Sequence, residues 1–485
     1  MNNYLSLSIK EIHELLVLKK TTPLLLVIEA IKLAKKDNNN AFEYIMEDEA
    51  IRMAKSLNEP EKDNLLWGIP FVIKDNISTK NVQTCASSNI LNGYIPIFNA
   101  TIVERLIKCK AIPIAKATLD ELALGGTGTT GHLGPTFNPY DKKHERIIGG
   151  SSCGSAASVS ANIVPFSLGS DTGDSIRKPA CYAGIVGFKP TWGCISRFGL
   201  FPFANSLDTL GFFTNNVDDC NILLNAVAGF DENDSTTFAY KKKDVKLEDN
   251  KNKNIKIAVI KEIIESVKND FIVNEFNKTL EKIRESGIEI NYVSIKKDIL
   301  RTIFPTYFII SCAESTSNNA NIDGIRFGKF ENGKNYFESI LNSRKLGFSR
   351  DTKKRFIFGN YVLLKENQSF FYLRAKRNRQ RIINIINDIF LNNDFILLPA
   401  SSDIAPKINR ANDEKYYISD EYLIADNHLV ISNFTGSPSI TIPAGFFEKM
   451  PFGFNLTGRI FEENKVLNIA KKIETIINFK GKKNV

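Results

Sequence analysis

Histidine is scarce in this chain: four in 485 residues, His13, His132, His144 and His428. None lies in the serine-rich stretch from Gly149 to Arg177. A serine nucleophile there has to work without the imidazole that usually takes its proton. Cysteine is sparse and unpaired, seven residues with no C-x-x-C spacing. That usage argues against a disulfide framework and, with so few histidines, against a zinc site. Met1-Asn2-Asn3-Tyr4 does not open a basic-then-apolar leader, and no run of about eighteen apolar residues offers a membrane span. These absences predict a reduced, cytoplasmic protein with no bound metal and no membrane contact.

Hydrophobic residues make up 43% and charged residues 24%, the balance of a chain that buries a large core. The net charge of +9 is a small excess of 63 basic over 54 acidic residues. Much of the excess sits in Lys241-Lys242-Lys243 and Lys251-Asn252-Lys253-Asn254. Such runs read as solvated surface, and no recognised nucleic-acid-binding signature accompanies them.

Alternating elements point to an α/β layer architecture. Residues 1–60 read mostly as helix: Ser8-Ile9-Lys10-Glu11 has the form of a capping box, and Thr22-Pro23 opens a second amphipathic stretch. Phe71-Val72-Ile73 reads as a short strand ending at Lys74, residues 101–110 as helix and 111–115 as strand. Residues 156–161 read as a small-residue helix and 185–188 as a buried strand. An exposed loop is expected over 240–254. Beyond it a β-α-β pattern is expected at 255–260, 269–285 and 288–293. One long basic helix is expected over 366–390, and strands ending at proline over 395–399 and 439–443.

The chemistry concentrates in two glycine-rich segments, Gly149-Gly150-Ser151-Ser152-Cys153-Gly154-Ser155 and Gly169-Ser170-Asp171-Thr172-Gly173-Asp174-Ser175-Ile176-Arg177. With no histidine nearby, the base for a serine is a lysine, and Lys74 is the best candidate. Burial beside Phe71-Val72-Ile73 would penalise its ammonium form and lower its pKa. A second serine, Ser151, is placed to bridge amine and nucleophile. The backbone N–H groups of the loop through Thr172, Gly173, Asp174 and Ser175 are candidates for an oxyanion hole. A phosphate-binding nest is the competing reading, weakened by the absence of G-x-x-x-x-G-K-[ST]. Ser175-Ile176-Arg177-Lys178 also fits the S-x-x-K of penicillin-binding proteins, but the K-T-G and S-D-N partners are absent.

At these motifs the chain resembles the amidase signature family. The stretches that carry the likeness are G-I-P-F-V-I-K-D-N from Gly68, G-G-S-S-C-G-S-A-A from Gly149 and G-S-D-T-G-D-S-I-R from Gly169, with 24 residues between Ser151 and Ser175. The resemblance implies one α/β amidase domain over 61–485 (signature core about 68–211), built on a mixed central β-sheet surrounded by α-helices, with 1–60 packed on it as a helical segment. It implies a Ser–Ser–Lys triad that hydrolyses amides through an acyl-enzyme: Ser175 the nucleophile, Ser151 the bridge behind a non-proline cis peptide, Lys74 the base.

Within the family the chain is most similar to the glutaminase branch that serves tRNA-dependent amidotransferases. That likeness implies glutamine as substrate. Ammonia would pass to a partner, the B subunit of a heterotrimer, which converts Glu-tRNA(Gln) to Gln-tRNA(Gln) with ATP and Mg and carries most of the tRNA contact. A small C subunit would clasp the two, and this chain itself would need no cofactor. The resemblance further suggests Arg355 for the α-carboxylate of glutamine, Asp426 for its α-ammonium, and Tyr307 and Gly125 in the pocket. Two positions depart from the pattern, Cys153 and, directly before the nucleophile, Asp174 in place of glycine. The expectation for Asp174 is that its carboxylate turns away from the oxyanion and leaves its N–H in the site. The rival readings are a free-standing amidase on another small amide, and a scaffold protein disabled by Asp174.

Overall fold

The computed structural model describes residues 4–239, 255–409 and 415–479. Eleven strands form one mixed sheet: β1 Phe42–Ile45, β2 Pro70–Lys74, β3 Ile112–Ala117, β4 Phe166–Asp171, β5 Val186–Lys189, β6 Thr209–Thr214, β7 Lys256–Ile260, β8 Glu289–Val293, β9 Phe395–Pro399, β10 Ser439–Phe447 and β11 Met450–Gly458. Their order across the sheet is β1-β3-β2-β4-β6-β5-β10-β11-β9-β7-β8. The β3-β2-β4 group and the β9-β7-β8 group are parallel. The strands joining them run antiparallel. The expected α/β architecture with a mixed sheet is what the chain adopts.

Both faces of the sheet are covered, which is why its strands are almost wholly apolar or small. Successive side chains point to opposite faces, and on β7 and β9 the two sets feed two cores. Ile257, Val259, Phe395 and Leu397 pack with Phe71, Phe166 and the helices of the first half. Ala258, Ile260, Ile396 and Leu398 pack with Ile310, Phe356, Ile382 and Phe434 on the other side. Leu5, Ile12, Leu26 and Val27 from the first sixty residues join the former core.

Local rules account for most of the element ends. Ser8 caps the helix Ile9–Val17 reciprocally with Glu11, and Thr22 caps Pro23–Lys35 by accepting from the Leu25 N–H at 3.2 Å. The expected helices near 101, 156 and 269 appear as Thr101–Lys108, Cys153–Ser160 and Asp270–Glu285. The expected basic helix does not run unbroken: a short turn Lys365–Gln368 precedes Tyr372–Asn392. Over 369–371 the chain turns: the Phe370 and Phe371 N–H groups both donate to the Asn367 carbonyl, at 3.1 and 2.9 Å. The expected loop at 240–254 lies outside the described residues.

Candidate active site

Lys74 is the last residue of β2, and Ser170 and Asp171 end the neighbouring parallel strand β4. Functional groups thus gather at the carboxyl ends of two parallel strands, where α/β sheets usually bind ligands. Lys74 is fully buried. Its Nζ lies 2.8 Å from Ser151 Oγ and 2.9 Å from Ser170 Oγ. Asn76 donates to Ser170 Oγ at 3.0 Å and fixes that hydroxyl. No carboxylate of the described residues lies within ion-pair distance of Nζ. Burial is therefore the largest influence, and it lowers the Lys74 pKa from 10.5 to about 7. Cys153, Asp120, Asp171 and Asp208 oppose it from further away.

Ser151 follows a cis peptide bond from Gly150. The turn is clamped from the Asp120–Thr130 loop. Asp120 accepts from the N–H groups of Gly128, Thr129 and Thr130 and donates its own N–H to the Ser151 carbonyl at 3.1 Å. A β-carbon at residue 150 would fall 2.0 Å from Asp120 Oδ2, so only glycine fits there.

Ser175 is 3% exposed and accepts, through its carbonyl, from the Ser152 N–H at 3.3 Å. Its side chain makes no hydrogen bond to Ser151 in this structure. The structure joins Lys74 to Ser151, while Ser175 meets this cluster through its carbonyl at the Ser152 N–H. Contacts of this kind commonly tighten only when substrate is bound.

The buried arginine that ends the third motif, Arg177, holds the loop that carries Ser175. Arg177 binds Asp171 through Nε at 3.1 Å and Nη2 at 2.9 Å, and donates to the Gly173 carbonyl at 2.8 Å. It also reaches the Leu429 carbonyl and Asn433 Oδ1, tying the loop to the carboxyl-terminal third. Burial alone would raise the Asp171 carboxyl, but Arg177, Lys189 and Asn433 together hold the group below its usual range. So braced, the loop leaves the N–H groups of Thr172, Gly173, Asp174 and Ser175 with no acceptor among the described residues. Tyr307 closes over the loop: a β-carbon on Gly173 would sit 2.9 Å from Tyr307 Cζ.

A cavity of about 310 Å³ opens against this loop. Gly125, Tyr307, Arg355 and Asp426 all line it, and it meets the Ser175 loop at Asp174. Ser175, Ser151 and Lys74 are not in its wall. Asp174 reaches into it beside Tyr307, and burial pushes its carboxyl up to about 6 against the pull of Lys178. Lys178, the lysine of the S-x-x-K pattern, donates to the Asp426 carbonyl at 2.8 Å.

One set of described residues has metal-ligand chemistry. Ligand atoms of Glu43, Cys85 and His132 lie within 4.8 Å of one another, away from the cavity wall. Their atoms are already engaged: His132 Nε2 is 2.9 Å from Glu43 Oε2, and the Cys85 thiol donates to Asp75, outside the set, at 3.1 Å. Burial pushes that thiol up, away from the thiolate a metal would need.

Ser170, Asn76, Asp120 and Arg177 are not singled out by the sequence alone. The available signal was position: Ser170 ends a strand parallel to the one that ends in Lys74.

Residues 25–467 match the Amidase family. The chain belongs to that family, and with this site it is an amide hydrolase. It is similar to the A subunit of glutamyl-tRNA(Gln) amidotransferase from Thermoanaerobacter pseudethanolicus, 37% identical over 496 residues that cover 98% of each chain. The crystal structure of the corresponding A subunit of glutamyl-tRNA(Gln) amidotransferase from Thermotoga maritima matches with a TM-score of 0.77 at 33% identity, covering 97% of this chain and 94% of that one. A peptide amidase bound to chymostatin shares the fold, with a TM-score of 0.82 at 20% identity.

Proposed function

We propose that the chain is the glutaminase component of a tRNA-dependent amidotransferase. The observation that carries the chemistry is the buried Lys74 amine 2.8 Å from Ser151 Oγ with no acidic partner. Near-full-length similarity to amidotransferase A subunits supports the choice of glutamine over other amides.

In the proposed cycle neutral Lys74 takes the Ser151 proton as Ser151 takes that of Ser175. Ser175 Oγ attacks the side-chain amide carbon of glutamine. The charge that forms on the amide oxygen is met by the N–H groups of Thr172, Gly173 and Asp174, each such donor being worth about 3 kcal/mol. The tetrahedral species collapses and the relay returns the proton to the leaving nitrogen, which departs as ammonia. Water, deprotonated by the same relay, then releases glutamate and restores Ser175.

Arg355 takes the α-carboxylate of glutamine, while Tyr307 and Gly125 shape the pocket around it. The ammonia serves the B subunit, which amidates Glu-tRNA(Gln) with ATP and Mg, and a small C subunit holds the two together.

The test is reconstitution. The chain assembled with its B and C partners should release ammonia from glutamine and form Gln-tRNA(Gln). The chain alone hydrolysing simple amides at full rate would favour a free-standing amidase. A stable assembly whose ammonia release is indifferent to Ser175→Ala would mean a scaffold.

A further inference from the structure

The helix Tyr372–Asn392 carries Arg374, Lys376, Arg377, Arg379 and Arg381 close together near its start. The fold sorts them into two sets. Lys376 lies 3.8 Å from Glu314, and Arg379 donates to the Phe434 carbonyl at 3.0 Å and the Ser206 carbonyl at 3.1 Å. Both are engaged by neighbouring elements. Arg374, Arg377 and Arg381 share another face, because residues three and four apart lie one above the other on a helix. All three are exposed, and none makes an ion pair or a hydrogen bond among the described residues. Their backbone positions span about 10 Å along the axis. Like charges in such a row repel, and no carboxylate of the described residues offsets them.

The row lines a groove of about 640 Å³ between this helix and the helix Ile303–Asn318. A fourth arginine of the wall, Arg301, is already taken: Asp420 accepts from its Nε at 2.6 Å and its Nη2 at 3.0 Å. The floor is fastened by Asn378, which donates to Thr302 Oγ1 at 2.9 Å and Thr306 Oγ1 at 2.7 Å. Phe370 and Phe371 also line the groove, edge to face with ring centroids 4.9 Å apart, and Phe370 is 60% exposed. The Arg374 guanidinium lies over the Phe370 ring, 5.5 Å from its centroid. The groove shares no wall residue with the cavity beside Asp174. Phe304 and Tyr307 face that cavity, while Pro305, Thr306 and Ile309 of the same helix face the groove.

A row of unneutralised guanidinium groups complements a row of phosphates, each of which a guanidinium can bind through two parallel N–H bonds. The exposed ring beside them complements an unpaired base, which stacks on an aromatic face whatever its identity. An acidic protein segment would answer the charges and leave the ring unmatched. A duplex would keep its bases inside its own stack. We propose that this groove binds single-stranded RNA, with phosphates on Arg374, Arg377 and Arg381 and a base on Phe370. The choice of RNA rests on the glutaminase reading, in which the assembly handles tRNA. The contact itself goes beyond that reading, since releasing ammonia asks for no RNA on this chain.

The test is fluorescence anisotropy of a labelled, mixed-sequence RNA single strand titrated with the full chain, without glutamine, across about 50–200 mM salt. Affinity should fall with salt at a log–log slope of about −2, three phosphates at about 0.7 each. Arg377→Gln and Arg381→Gln should each weaken binding about three- to tenfold and flatten the slope by about 0.7. Phe370→Ala should weaken it about fivefold or more and leave the slope unchanged. Lys282→Gln, which removes an exposed charge from the helix Asp270–Glu285 across the sheet, should change neither. Ammonia release by the reconstituted complex should be the same in all four variants as in the wild type. No binding of the strand overturns the proposal. So does a loss with Lys282→Gln equal to that with Arg377→Gln, which would mean diffuse attraction to a basic surface. Displacement by polyaspartate or duplex RNA as readily as by unlabelled single strand, with Phe370→Ala silent, overturns it in favour of another partner. Each of these results leaves the glutaminase reading intact. RNA binding with the expected pattern but no ammonia from glutamine upholds the groove and overturns that reading.

Discussion

Lys74 ends β2, Lys116 sits on β3 beside Ile73, and neither side chain touches solvent. Their surroundings differ in one respect. Lys116 Nζ donates to the Ile77 carbonyl at 2.8 Å and Thr84 Oγ1 at 2.7 Å, and lies 3.2 Å from Asp75 Oδ1. Lys74 has two serine hydroxyls and no carboxylate. Burial lowers both amines, but beside Lys116 the Asp75 charge pulls back. Two lysines one strand apart thus differ in partner rather than in depth: a carboxylate for Lys116, two hydroxyls for Lys74.

The largest effects should separate the two sites. Ser175→Ala should cut ammonia release from glutamine by about 10⁴-fold or more, and Lys74→Met by roughly 10³-fold, with the fold intact. Lys116→Met should do the reverse. It strands a buried Asp75 and should cost about 3–5 kcal/mol in urea unfolding, while turnover per folded molecule stays within tenfold. If Lys116→Met proved the worse for chemistry and Lys74→Met the worse for stability, the comparison would be upside down.

The pH dependence follows with a definite sign. In the proposed cycle the neutral amine of Lys74 is the working form, so kcat/KM should climb tenfold per pH unit below about 7 and level off above it. Stability should respond in the same window and beyond. The unfolded chain keeps Lys74 protonated up to 10.5 while the folded chain releases that proton near 7, so folding is favoured increasingly as pH rises between the two. Lys74→Met should therefore flatten the gain in unfolding free energy between pH 7.5 and 9.5, and should stabilise the protein near pH 7 by on the order of 3 kcal/mol. A steeper pH dependence in that variant would contradict the assignment.

The smallest effect concerns Ser170. Its hydroxyl accepts from the Lys74 ammonium, so Ser170→Ala should lower the amine's pKa and move the rising limb to lower pH by less than about one unit. The expected loss of turnover is about tenfold, and a shift toward higher pH would show that Ser170 does not stabilise the charged form.

The sequence was legible where one residue type answers one physical need. Apolar runs broken by glycine and proline marked β2, β9 and β10, and the capping box at Ser8 marked the first helix. Two glycine–serine loops and a strand-end lysine marked the site, because the lack of histidine narrowed the choice of base. What stayed hidden depends on contacts across hundreds of residues. Nothing local at Arg177 announces that it spans Asp171, Gly173 and Asn433. Nothing at Asp426 announces that Lys178, 248 positions earlier, occupies it. The break at Ser369 stayed hidden because the helical periodicity of Tyr372–Asn392 extends back through a turn that no proline or glycine marks.

The most direct test of the lysine base needs neither partner proteins nor tRNA. The second-order rate of Ser175 modification by a fluorophosphonate should rise with pH, reach half its plateau near pH 7, and lose that limb in Lys74→Met. A rate that keeps rising past pH 9, or one untouched by Lys74→Met, would show that the buried amine is not what activates the serine.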